Sequence, residues 1–202
     1  MKTCLIISGG DFHPFQPGNA QLILACDKGY EYALRCGVTP DLLLSDFDSY
    51  DGAVSAQVPV HSFPSEKDDT DTMLAIRYAL EQGCDRIELV CALGGRLDHT
   101  LANLQSAVFA QERGARVHIQ SPDTEIYTLA DGELVLPRRE GWSLSLFAAD
   151  RCEGLSIRGA KYNLDNAVLT SGFPLGVSNQ WAEPEAVIRV EKGTLLIVLS
   201  KM

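Results

Sequence analysis

Aspartate clusters are the first chemistry legible in this chain. Seven of the 31 residues from Asp41 to Asp71 are Asp. They fall into Asp46–Phe47–Asp48–Ser49 and Lys67–Asp68–Asp69–Thr70–Asp71, with Asp27–Lys28–Gly29 upstream. Carboxylates packed closely repel one another and raise each other's pKa unless a cation intervenes. Hard oxygen ligands, few in number and without an EF-hand spacing, suit Mg²⁺ shared with substrate phosphates. A lone loop Asp caps a helix or fills a turn, which is the reading for Asp41, Asp51 and Asp69. Several acidic loops on one edge are a different matter.

The opposite pole is Gly94–Gly95–Arg96–Leu97–Asp98–His99. Two glycines let backbone approach a phosphate, the helix start after them favours anions, and Arg96 adds a bidentate donor. His99 and Asn103 lie one helical turn apart on one face, as ligand contacts or as a plain surface pair. Neither GxxxxGK[ST] nor GxGxxG occurs, so ordinary P-loop and dinucleotide readings lack their residues. Further on, Arg158–Gly159–Ala160–Lys161–Tyr162–Asn163–Leu164 and the stretch from Gly172 to Trp181 stand outside the strand pattern. In the second, Ser178, Asn179 and Trp181 suit a flat heteroaromatic ligand, with a structured loop around a half-buried Trp181 as the alternative.

Regular elements must position these groups. Residues 4–8, 22–26, 42–45, 58–61 (weakly), 86–91 and 117–119 read as buried strands. They alternate with helices over 27–35, over 70–82 with Thr70 as N-cap and Gly83 beyond the end, and over a stretch ending at Gly114. In the last of these Leu101, Leu104 and Val108 carry the helical spacing. This is the signature of a parallel sheet covered on both faces, an α/β fold whose ligands gather at the carboxyl ends of the strands. Past residue 121 the period changes to two. Residues 125–129 and 133–136 flank Ala130–Asp131–Gly132 as a hairpin, 143–147 and 155–158 follow, and 187–190 pairs with 194–199 across Glu191–Lys192–Gly193. Six short strands of this kind predict a small antiparallel sandwich or barrel. The expected units are 1–122 and 123–202.

Composition narrows the class. The 202 residues are 46% hydrophobic, enough for a sizeable core. Against 27 acidic residues stand 17 basic ones, a net charge of −10. That opposes nucleic acid or an anionic membrane as the main partner, but not a nucleotide whose charge a metal offsets. No apolar run is long enough to span a membrane and the first one is too short for a leader, so a cytoplasmic protein is expected. The six cysteines form no CxxC pair and read as reduced core thiols.

Taken in order, Asp27–Lys28–Gly29, Asp46–Phe47–Asp48–Ser49, Lys67–Asp68–Asp69–Thr70–Asp71, Gly94 to His99, Lys161–Tyr162 and Gly176–Val177–Ser178–Asn179 resemble bacterial thiamine pyrophosphokinases. The resemblance runs along almost the whole chain. It implies a Rossmann-like α/β domain that binds ATP, followed by a β-sandwich domain that binds thiamine. It implies transfer of the pyrophosphoryl group of ATP to the thiamine hydroxyl, giving thiamine diphosphate and AMP. Mg²⁺ is implied, as is a homodimer with thiamine at the subunit interface. Carried over by position, Asp46, Asp48 and Asp71 are the metal-associated carboxylates. Asp27, Lys67, Asp68, Gly95, Arg96 and His99 surround ATP, Ser178 and Asn179 contact thiamine, and Asp98 sits where the two substrates meet. Asp71, Asp98 and Arg96 are the catalytic candidates, with Asp71 or Asp98 accepting the hydroxyl proton. Two departures stand out: Ser45 where the family usually has Gly, and Ala160 in place of Leu. A Mg²⁺-dependent hydrolase and a non-catalytic binding module are the competing readings.

Overall fold

Four- and five-residue apolar runs bounded by turns cannot satisfy their backbone alone, so they pair into sheets. The computed structural model describes residues 1–45, 54–62 and 69–202. It divides into two units, Met1–Pro122 and Asp123–Met202.

The first unit comprises β1 (Thr3–Ile7), β2 (Leu22–Cys26), α1 (Gly29–Arg35), β3 (Leu42–Ser45), β4 (Val60–Ser62), α2 (Asp71–Glu81), β5 (Arg86–Val90), α3 (Leu97–Gln111) and β6 (Arg116–Gln120). The strands are parallel in the order β6–β5–β1–β2–β3–β4. On one face Leu5, Ile7 and Val90 pack with Tyr32 and Ala33 of α1. Helix α2 packs over β1, β2 and β3 and against α3. Its start is the expected one: Thr70 is the N-cap, its hydroxyl accepting from Met73 N at 3.2 Å, and Gly83 follows the end at φ +75°. Helix α3 departs from expectation. Its buried face is Asn103, Ser106, Ala107 and Ala110, whereas Leu101 is exposed and Leu104 and Val108 are only half-buried. Small residues let the helix lie close to its neighbours, so the apolar stripe turns outward.

The strand order sets where a ligand can sit. From β1 the chain moves through β2 and β3 to β4, then returns to β5 on the other side of β1. The direction reverses between β1 and β5, and in such sheets a crevice opens there, past the carboxyl ends.

The second unit comprises β7 (Thr124–Pro137), β8 (Trp142–Ala148), β9 (Arg151–Arg158), β10 (Leu164–Thr170), β11 (Gly176–Asn179) and β12 (Glu185–Lys201), all antiparallel. Neither predicted hairpin forms. β7 runs straight through Ala130–Asp131–Gly132, and β12 straight through Glu191–Lys192–Gly193. The two long strands pair with each other, and their irregularities coincide: the register shifts between Val190↔Gly132 and Thr194↔Ala130. The turn-like residues make a bulge, with Asp131 at φ +44° and Gly193 at φ +101°. Only glycine fits at 193, since a Cβ there would lie 2.3 Å from the Arg151 carbonyl oxygen. The bulge lets β12 change partners along its length, pairing with β9 before it and β8 after it. One core of leucines, isoleucines and valines from β7, β8, β9, β10 and β12 results. β10 and β11 were missed because their residues are largely exposed.

Among the described residues no helix is long and apolar enough to cross a membrane. All six cysteines are free thiols. Burial pushes the thiol pKa of Cys4 and Cys91 upward and that of Cys152 to about 11, so these are inert core groups.

Candidate active site

A cleft of about 580 Å³ opens at the carboxyl ends of β1, β2 and β5. The end of β1 contributes Ser8, Gly9 and Gly10, and the end of β2 contributes Cys26, Asp27 and Lys28. Residues 69–72 bring the start of α2, and Gly94, Gly95, Arg96 and His99 the start of α3. Two helix N-termini therefore meet one cleft, both favouring anions.

Backbone in unusual conformations shapes two of the walls. Asp27 at φ +44° and Cys91 at φ +53° turn the chain sharply as β2 and β5 end, and Gly94 and Gly95 follow at φ +83° and +62°. Non-glycine residues held in this region are strained and need surrounding structure to impose it. Asp27 is buried, and Ser45 Oγ donates to its carboxylate. Ser45 thus fixes the Asp27 side chain. The loops after β1 and β5 are joined directly: Gly10 N donates to Cys91 O at 2.7 Å and Asp11 N to Leu93 O at 2.9 Å. A Cβ on Gly10 would lie 2.6 Å from Leu93 O, so the approach requires glycine.

Charged groups sit at the rim. Arg96 Nε and Nη2 hold the Asp98 carboxylate at 3.1 and 2.6 Å, and Asp98 Oδ1 also accepts from His99 N at 3.0 Å. The Arg96 hydrogen bonds lower the Asp98 pKa and raise that of Arg96. Asp71 lines the cleft from the first turn of α2, while Asp69 pairs with Arg77 at 3.1 Å. Ser8 and Thr72 hydroxyls meet at 3.0 Å and tie β1 to α2. Asn103 is buried and donates from Nδ2 to Ala92 O at 2.7 Å, so it fastens the loop beneath His99.

Of the residues singled out in sequence, Asp27, Asp71, Gly95, Arg96 and His99 come together on this cleft, with Asp98 bound to Arg96 beside it. Asp46, Asp48, Lys67 and Asp68 lie outside the described residues. Among the described residues no three His, Cys, Asp or Glu side chains gather as a metal set. Asp71 is the one described member of the expected trio, a carboxylate of the hard-oxygen type that Mg²⁺ takes. The wall from Ser8 to Gly10 was not singled out. Its signal was Gly9–Gly10 directly after the first strand, the same pair that marks Gly94–Gly95.

In the second unit, Ser178 (φ +60°) is exposed, and its N–H donates to Ser145 Oγ at 3.0 Å. Asn179 is buried. Its Oδ1 accepts from Tyr162 N at 3.0 Å and Gln180 N at 2.9 Å, and Nδ2 donates to Tyr162 O at 2.7 Å. It shapes the 160–163 turn with an amide already engaged. Trp181 is not a stacking platform either: it is a core residue, with Nε1 donating to Leu136 O at 3.0 Å. Tyr162, Phe173, Leu175 and Val177 are the exposed apolar groups around Ser178.

A parallel α/β sheet with two helix N-termini on a cleft at its switch point is the arrangement in which α/β proteins hold phosphate-bearing ligands. Residues 17–119 match the thiamin pyrophosphokinase catalytic domain, and residues 133–195 the thiamin pyrophosphokinase vitamin B1 binding domain. The thiamine pyrophosphokinase of Bacillus subtilis (strain 168) is 30% identical over 213 residues, covering 99% of each chain. The chain belongs to the thiamine pyrophosphokinase family. Among solved structures, the Bacillus subtilis thiamine pyrophosphokinase superposes with a TM-score of 0.86 at 26% identity, covering 100% of both chains. A thiamin pyrophosphokinase family protein from Enterococcus faecalis gives 0.82 at 26% identity, again over 100% of both.

Proposed function

We propose that the switch-point cleft of the first unit takes ATP and that the Ser178 region of the second unit takes thiamine. The chain is a transferase of the thiamine pyrophosphokinase family, moving the pyrophosphoryl group of ATP to the hydroxyl of thiamine and yielding thiamine diphosphate and AMP. In finer terms we read the units as a Rossmann-like doubly wound sheet and a β-sandwich. The observation that carries the assignment is the convergence of Asp27, Asp71, Arg96 and two helix N-termini on one cleft.

Transfer of this kind needs alignment and charge neutralisation rather than covalent help. The backbone at Gly94–Gly95 and the α3 terminus cradle phosphate oxygens, and Arg96 and Lys67 offset charge on the transferring group. Asp46, Asp48 and Asp71 would hold Mg²⁺, which would supply charge neutralisation for the phosphates. The thiamine oxygen forms a bond to the β-phosphorus, the bond from that phosphorus to the α–β bridging oxygen breaks, and AMP departs. The hydroxyl proton passes to Asp71 or Asp98. While Arg96 holds it, Asp98 is a weak base, and a phosphate that draws Arg96 away raises its proton affinity.

A homodimer with thiamine between subunits fits the apolar groups each unit leaves exposed. Leu97 and Leu101 are 72% and 53% exposed beside Arg96, and Phe173 is 64% exposed near Ser178. Free thiols throughout accord with a reducing cytoplasm. The test is AMP formation from ATP with Mg²⁺, with and without thiamine. Thiamine-dependent AMP is expected. Phosphate release without thiamine indicates a hydrolase, and thiamine binding without AMP a binding module.

A further inference from the structure

His13 lies in the segment that follows β1, outside the residues assigned above to either substrate, and it is only 8% exposed. Its ring is held at both nitrogens. Nδ1 meets the Pro14 carbonyl oxygen at 3.2 Å, and Nε2 meets the backbone N–H of Cys91 at 3.2 Å. A carbonyl can only accept and an N–H can only donate. The partners therefore fix the tautomer, with the Nδ1 proton on the Pro14 carbonyl and the Nε2 lone pair on the Cys91 N–H. The grip is doubled, since Cys91 Sγ lies 3.8 Å from the His13 carbonyl oxygen as donor.

Cys91 is where β5 leaves the sheet. Its φ of +53° turns the chain toward Gly94–Gly95–Arg96. That conformation is disfavoured for a residue with a side chain and persists only where its surroundings impose it. A buried N–H at such a point needs an acceptor, and His13 Nε2 supplies it. The His13 segment is itself braced. Tyr32 OH donates to Gly10 O at 3.0 Å, Phe12 packs on Tyr32 with centroids 5.2 Å apart, and the Arg35 guanidinium stacks 3.7 Å from the Phe12 ring centre.

We infer that His13 is a positioning residue for the phosphate-binding turn, holding the strained exit of β5 so that Gly94, Gly95 and the start of α3 face the nucleotide. This rests on the assignment of ATP to the cleft. The residue acts through Cys91 and touches no substrate. Its acceptor must stand at the end of the side chain. A glutamine places an amide oxygen near the Nε2 position, whereas the shorter asparagine reaches only to Nδ1.

The test compares wild type, His13→Gln and His13→Asn by KM for ATP, KM for thiamine, calorimetric binding of ATP with Mg²⁺, and thermal melting. The Asn variant is expected to raise KM for ATP about tenfold, the order of penalty for misplacing a binding group by a fraction of an ångström. Its KM for thiamine stays within about twofold, and the Gln variant recovers most of the loss. Equal rises in both KM values overturn the inference, as does an Asn variant indistinguishable from wild type. So does a Gln variant no better than Asn, or loss of the fold in both, which would make His13 a folding residue only. If wild type itself forms no thiamine-dependent AMP and binds no ATP, the cleft assignment has failed rather than the role of His13.

Discussion

Glu88 offers the most quantitative perturbation in the first unit. It stands in the middle of β5, directly opposite His118 of β6. Burial works to raise its pKa, but hydrogen bonds from His118, Arg86 and Gln120 outweigh that and carry it from 4.5 down to about 2. The three contacts are each 2.8 Å, and the Glu88 side chain is 17% exposed. That depression corresponds to about 3 kcal/mol in favour of the folded state when the carboxylate is ionised. Because the folded pKa lies below the unfolded one, that contribution is complete above the unfolded value of 4.5. It drains away as pH falls toward about 2, where both states are protonated. Glu88→Gln keeps the shape and removes the charge. At pH 7 the variant should be less stable than wild type by up to about 3 kcal/mol, or several degrees in melting temperature. The gap should narrow steadily between pH 4.5 and 2. Urea titrations of both proteins across that range measure it. Two stability curves running parallel from pH 7 to the acid limit would show that the ionised carboxylate adds nothing to stability.

Four further outcomes follow from the same geometry. Asp71→Asn should abolish AMP formation while the melting temperature stays near wild type; a wild-type kcat removes Asp71 from the mechanism. Gly10→Ala places a Cβ 2.6 Å from Leu93 O and forces the loops after β1 and β5 apart. It should cost about 1–3 kcal/mol of stability and raise KM for ATP, as melting and initial-rate measurements would show. Ser178→Ala should raise KM for thiamine more than that for ATP at unchanged stability. Asn179→Ala leaves the backbone N–H and C=O of Tyr162 without their partner and should also lower stability by about 1–3 kcal/mol in urea titration. Equal stabilities for these last two variants would contradict the distinction drawn between them.

Much of the first unit could be read directly, for a physical reason. Runs such as Leu22–Cys26 and Leu42–Ser45 are buried strands with no competing pattern, and Thr70 and Gly83 punctuate α2 as local chemistry dictates. Asp27, Asp71 and the Gly94–Gly95–Arg96 turn lie on one cleft, as strand ends collecting ligands in such sheets would have it. What failed was whatever depends on partners distant in sequence. Asp131–Gly132 has the chemistry of a tight turn, but pairing with β12 converts it into a bulge. Leu101 has the spacing of a core residue, but Ala107 and Ala110 pack more closely and take that side. Trp181 has the local chemistry of a stacking group, yet it is buried with Nε1 on the Leu136 carbonyl, and the Asn179 amide engages Tyr162, partners that no local window contains. His13 carries no sequence signal at all, since its partner Cys91 is 78 positions away.

In the proposed reading, separate loops at one end of the parallel sheet converge on a single metal-bound triphosphate. A crystal structure with thiamine, Mg²⁺ and a non-hydrolysable ATP analogue decides whether they do. Phosphate oxygens are expected on the backbone of Gly94–Gly95 and the start of α3, with Arg96 turned from Asp98 toward them and Asp71 on the metal. Triphosphate bound away from the ends of β1 and β5, with the Arg96–Asp98 pair intact, would overturn the assignment of the cleft.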